Sequence, residues 1–151
     1  MACDCEHISI KTYGRLDLTQ NPAVVVGRAH VMVESVCQEV EKDEHTEPML
    51  AAFGGHDRQK IAHDAELAGE KLCFNYITVS LLQATVGWKI TEVQVGSDTF
   101  LANIAANASE RFALGPCESC ELEKASVKIV DAAGAVQTIL GGFKACHCQA
   151  A

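Results

Sequence analysis

The pattern of hydrophobic and polar positions predicts short strands and amphipathic helices. Residues 8–13 alternate loosely between apolar and polar side chains, which predicts a short strand. Asn21-Pro22 is typical of a helix start. The apolar residues that follow fit one helical face: Val25, Ala29, Met32, Val33, Val36, Cys37 and Val40. The valine content also suits a strand, but the spacing favours a helix.

The middle of the chain continues this mixture of elements. A second helix is predicted over Asp57–Lys71, after a loop that is acidic and then rich in glycine. Two strands, Cys73–Leu82 and Val86–Val95, follow in stretches rich in β-branched residues. Gly96-Ser97-Asp98 opens a predicted third helix, which ends at Gly115-Pro116 because proline cannot continue a helix.

The last part of the chain predicts a β-hairpin. Asp131-Ala132-Ala133-Gly134 is typical of a tight turn between two β-prone segments. A turn centred on Ala132 and Ala133 pairs Ile129 with Val136 and gives the hairpin one apolar face. The same register sets Cys117 opposite Cys148. A one-residue bulge at Gly141-Gly142 would instead bring Cys146 opposite Cys120.

These elements together predict an α+β fold. It would contain a small antiparallel sheet, three helices and a C-terminal β-hairpin closed by a cysteine cluster. The length of 151 residues suits a single domain over residues 1–151, with the cysteine-bearing hairpin at 117–148 inside it.

The cysteines carry the most specific chemical signal. The chain has 8 cysteines, and in a reducing compartment grouped cysteines more often hold a metal ion than form disulfides. Four thiolates can bind Zn²⁺ tetrahedrally. We therefore predict a structural zinc site with the ligands Cys117, Cys120, Cys146 and Cys148. The N-terminal group Cys3, Cys5 and His7 could supply further ligands.

The spacing of the cysteines leaves other chemistry open. Four thiolates would also suit an iron–sulfur cluster, and the same cysteines could form structural disulfides. Cys117-Glu-Ser-Cys120 has the spacing of a redox-active pair, but a thiol with a lowered pKa usually lies at a helix N-terminus. Here the motif follows a predicted helix and precedes a strand. Cys37 and Cys73 lie on apolar faces and are predicted to be buried free thiols.

The charge of the chain disfavours some classes of partner. The net charge is −8, with 20 acidic and 12 basic residues and no cluster of Lys or Arg. A nucleic-acid or anionic membrane partner is therefore not expected. The N-terminal residues lack the pattern of a secretion signal, so the default expectation is a cytoplasmic protein.

Three functions fit these observations. The first is a non-catalytic cysteine-rich structural or binding protein with the zinc site described above. The second is a self-assembling subunit of a coat, virion or surface fibre, cross-linked by disulfides from its terminal cysteines. The third is a thiol–disulfide redox protein that uses Cys117 and Cys120. The expected partner is another protein or further copies of the chain, forming a homo-oligomer.

Overall fold

Eight antiparallel strands form two four-stranded sheets in the computed structural model, which describes residues 5–41, 71–117, 120–134 and 136–148. The strands are β1 (Cys5–Asp17), β2 (Val24–Glu41), β3 (Lys71–Leu82), β4 (Lys89–Val95), β5 (Asp98–Ala105), β6 (Ala108–Cys117), β7 (Cys120–Val130) and β8 (Gln137–Cys148). The first sheet has the order β1-β2-β3-β6 and the second the order β5-β4-β7-β8. The chain is therefore a β-sandwich, and the predicted α+β class is wrong.

The predicted first helix is β2. Ala29, Val31 and Val33 of this strand are buried. Arg28, which lies on the opposite face of the strand, is exposed. This period of two is the signature of a strand with one face on the core. The apolar residues also matched a helical face because valine occurs on both sides of the strand. The β-branched side chains of valine favour the extended backbone.

The predicted third helix comprises strands β5 and β6, which belong to different sheets and are joined by a short turn. Phe100 and Ile104 face the core, whereas Leu101 between them is 86% exposed, as the period of two of a strand requires. The turn contains Asn107, which adopts a positive φ of 64° that helix interiors do not contain. The predicted second helix lies outside the described residues except for Lys71, which begins β3. No helix occurs in the parts of the chain that the structure describes, and hence none that could cross a bilayer.

The core lies between the two sheets. The largest buried side chains come from both sheets, and burial of each contributes about 1.5 to 3 kcal/mol. They include Val31, Val33, Ile77, Val79, Leu81, Ile90, Val93, Val95, Ile104, Val127 and Phe143. Trp88 covers one end of this core and packs against Gly27, which has no side chain to displace it. The aliphatic core follows from the low aromatic content of 5%.

The terminal hairpin forms between β7 and β8, but its register differs from the predicted one. Ile129 pairs with Thr138 instead of Val136, because the loop between the strands is wider than a two-residue turn. The register then shifts between Ala125 and Val127, across from Gly141-Gly142, where a bulge was expected. As a result Cys120, and not Cys117, lies opposite Cys148.

Candidate functional site

The strand register collects cysteines at one end of the sandwich, which we call the cysteine end. Strand β1 begins there and β8 ends there. Three cross-strand pairs and one neighbouring residue define it: Cys5 opposite Cys37, Cys73 opposite Cys117, Cys120 opposite Cys148, and Cys146. The sequence contains no other cysteine besides Cys3, which lies outside the described residues.

Two disulfides connect the sheets at the cysteine end. Cys5 of β1 is bonded to Cys146 of β8, with Cα atoms 6.0 Å apart. Cys37 of β2 is bonded to Cys120 of β7, with Cα atoms 6.8 Å apart. Each bond therefore joins one sheet to the other. Cys37 and Cys146 are almost completely buried, and all four side chains form one contact cluster.

Side chains of the first sheet hold the free edge of β8 beside these disulfides. The Cys146 N–H donates to Ser35 Oγ at 2.8 Å, and Asn75 Nδ2 donates to the Cys146 carbonyl at 2.6 Å. An edge strand otherwise presents unpaired backbone groups, and buried ones are costly. The two polar side chains therefore position Cys146 for its bond to Cys5.

A buried histidine ties the same part of β8 to its own sheet. His147 Nδ1 lies 2.8 Å from Glu123 Oε2, and Nε2 lies 2.7 Å from Asp98 Oδ2. The histidine side chain is 3% exposed. Because both ring nitrogens are engaged by carboxylates, His147 has no nitrogen left to bind a metal ion in this arrangement.

The structure distributes the predicted zinc ligands over strands of both sheets. Cys117 ends β6 in the first sheet, whereas Cys120, Cys146 and Cys148 belong to the second. Cys120 and Cys146 are bonded to cysteines outside the predicted set of four. Of the reserve ligands, Cys5 forms a disulfide and His7 accepts a hydrogen bond from Ser35 Oγ through its backbone carbonyl. Cys3 lies outside the described residues.

With both disulfides formed, the described residues contain no group of three or more His, Cys, Asp and Glu side chains arranged to hold a metal ion. Sequence reasoning missed Cys37, which is buried as expected but disulfide-bonded instead of free. The alternation of buried positions in β2 could have found it. Cys37 follows Val31 and Val33 at even spacing, and it therefore points between the sheets.

The predicted redox pair also differs from a redox motif in its surroundings. Cys117 and Cys120 lie in strands of different sheets, and Cys120 is bonded to Cys37. No helix lies beside them in the described part of the chain, whereas redox-active pairs usually lie at a helix N-terminus.

The opposite end of the sandwich exposes aliphatic side chains. They lie on the β1–β2 hairpin, and we call them the apolar tip: Leu16, Leu18, Val24, Val25 and Val26. Their exposed fractions run from 44% for Val24 to 80% for Leu18. The loop of this hairpin is held by Asp17, whose carboxylate accepts hydrogen bonds from the Thr19 hydroxyl, the Thr19 N–H and Gln20. These bonds, that of the Thr19 hydroxyl foremost, lower the pKa of Asp17.

The fold and the cysteine end define an all-β sandwich whose two sheets are joined by disulfides. No known protein family, curated protein or solved structure matches this chain. The functional inference therefore rests on the geometry of the site.

Proposed function

We propose that the chain is a non-catalytic structural or binding protein, in which disulfides between the sheets fix a rigid β-sandwich for use in an oxidising compartment. The observation that carries this proposal is the pair of bonds Cys5–Cys146 and Cys37–Cys120. Stable disulfides form and persist mainly outside the reducing cytosol. This compartment replaces the cytoplasmic location expected by default.

The placement of the bonds supports a structural role. Cys37 and Cys146 are shielded from solvent, and their partners Cys5 and Cys120 are only partly exposed, so thiol exchange in the folded protein is slowed. Redox-active cysteines are instead partly exposed and lie in electropositive surroundings. The cross-links also close long loops, with sequence separations of 141 and 83 residues. Long loops are where the chain-entropy model gives a disulfide its largest stabilising effect.

Peptide mapping of the native protein tests this proposal. The protein would be purified from an oxidising compartment with free thiols blocked by an alkylating reagent, and then digested without reductant. We expect peptides that link Cys5 to Cys146 and Cys37 to Cys120. Four alkylated cysteines at these positions in the folded protein would contradict the proposal, and so would links that stay within one sheet.

A second candidate function is the self-assembling subunit of a coat, virion or surface fibre. The apolar tip favours it, since contiguous exposed apolar patches commonly mark sites of protein association. The tip and the cysteine end lie at opposite ends of the sandwich. If the tip of one copy contacts a different surface of the next copy, the contact is heterologous and generates a ring or an open fibre. Homo-oligomerisation is part of this candidate.

The apolar tip can be tested with one charged substitution and a matched control. Val25→Lys places a charge in the middle of the tip, whereas Ile139→Lys places one at a similarly exposed position on β8. We expect the parent and Ile139→Lys to sediment as oligomers and Val25→Lys to sediment as a monomer. A parent that remains monomeric at high concentration, in the presence and absence of reductant, removes this candidate.

A further inference from the structure

We propose that the four cysteines of the two disulfides form a second state on reduction, in which Cys5, Cys37, Cys120 and Cys146 together bind one Zn²⁺ ion. This goes beyond the proposed function, because a sandwich held by disulfides needs no metal. It also assigns a ligand set that differs from the one the sequence predicts. Cys120 and Cys146 are common to both sets, while Cys5 and Cys37 replace Cys117 and Cys148.

The arrangement of the strands brings the four side chains together. Cys5 and Cys37 lie directly opposite each other on β1 and β2. Each is also bonded across the sandwich, to Cys146 and Cys120 respectively. The four side chains pack as one cluster at the cysteine end. A site for one ion needs this property, since its ligands must converge on a single point.

Within each disulfide, the two sulfur atoms need to separate by only a short distance. Zn–S bonds of about 2.3 Å in a tetrahedron place neighbouring sulfur atoms about 3.8 Å apart, whereas bonded sulfur atoms are about 2 Å apart. Each pair must therefore separate by roughly 2 Å. Side-chain rotation can supply much of this displacement. The hydrogen bonds of Ser35 and Asn75 to the backbone of Cys146 would keep β8 in place during the change.

The chemistry of the two steps is balanced with a dithiol as the reductant. Each protein disulfide accepts two electrons and two protons from one dithiol, which becomes a disulfide itself. The two S–S bonds break and four thiols form. Zn²⁺ then replaces the four thiol protons, which pass to solvent, and four Zn–S bonds form. Burial of Cys37 and Cys146 keeps water from competing for the ion.

Cobalt substitution provides the test. The protein is reduced completely with a dithiol, freed of reductant without oxygen, and titrated with Co²⁺ and then Zn²⁺. We expect visible absorption of tetrahedral Co²⁺ with a thiolate charge-transfer band, saturating at one ion per chain and lost when Zn²⁺ displaces cobalt. The oxidised protein should show neither band.

Two variants distinguish the ligand sets. The quadruple substitution of the other cysteines by serine, at Cys3, Cys73, Cys117 and Cys148, should bind Co²⁺ with the parent spectrum. Cys37→Ser should weaken binding by more than about 100-fold, beyond the range typical of residues that only orient a ligand.

Three results would overturn the inference: no metal bound by the reduced parent, loss of the site in the quadruple variant, or an unchanged site in Cys37→Ser. If Cys37→Ser does not fold, the quadruple variant alone decides between the two ligand sets. The peptide map of the oxidised protein does not depend on metal. A failure of the zinc site can therefore be distinguished from a failure of the proposed function.

Discussion

Removal of the inner cross-link should reduce the stability of the sandwich by a predictable amount. The substitution is Cys37→Ala with Cys120→Ala, because alanine avoids the burial of an unpaired hydroxyl group. A closed loop of 83 residues corresponds to about 4 to 5 kcal/mol in the chain-entropy model. The Cys5–Cys146 bond already restricts the unfolded chain, so we expect the lower value, about 4 kcal/mol.

Urea denaturation followed by circular dichroism measures this difference. With a chelator present to exclude metal binding, the double variant should unfold with a free energy about 4 kcal/mol below that of the oxidised parent. The melting temperature should fall by about 8 to 16 °C for a domain of this size. The urea dependence should become steeper, because the unfolded chain exposes more surface without the cross-link.

Reduction of the double variant and of the parent provides the internal control. Reductant breaks only Cys5–Cys146 in the variant but both cross-links in the parent, so the parent should lose about twice as much stability. The reasoning is refuted if the oxidised variant is as stable as the oxidised parent to within about 1 kcal/mol, since the bond would then contribute far less than its loop length implies.

Two further predictions concern the other end of the sandwich. Gly27→Ala places a methyl group into the ring of Trp88, so the variant should lose about 1 to 3 kcal/mol of stability. Because Trp88 is the only tryptophan, its displacement should also shift the fluorescence emission of the protein to longer wavelength. Gly14→Ala, which meets no atom within 4 Å, should change neither; equal effects of the two would contradict this packing. Thr19→Val removes the hydroxyl that lowers the pKa of Asp17, so NMR titration should show that pKa rising toward its usual value of 3.8. Because the folded-state pKa is lowered, the ionised carboxylate stabilises the fold above the unfolded-state pKa, and this stabilisation is lost as pH falls through the folded-state pKa. An unchanged titration of Asp17 in Thr19→Val would assign the lowered pKa to another group.

Local patterns in the sequence were sufficient for some elements but not for the fold class. The strands at 8–13 and 73–82 lie within β1 and β3, and the turn near Asp131 lies between β7 and β8. The helix expected after Asn21-Pro22 was wrong. Valines on both faces of β2 satisfy a helical period as well as a strand period, and the packing of one face against the second sheet decides between them.

The sequence by itself determined how many cysteines the protein has and that its last part forms a hairpin, with Cys120 on one strand and Cys146 and Cys148 on the other. Only the tertiary structure decided which of them meet. Cys5 and Cys146 are 141 residues apart, and no local spacing relates them. Their contact arises because β1 and β8 are edge strands of different sheets that close the same side of the sandwich. Sheet packing is a long-range property, whereas residue periodicity and turn chemistry act over a few neighbouring residues.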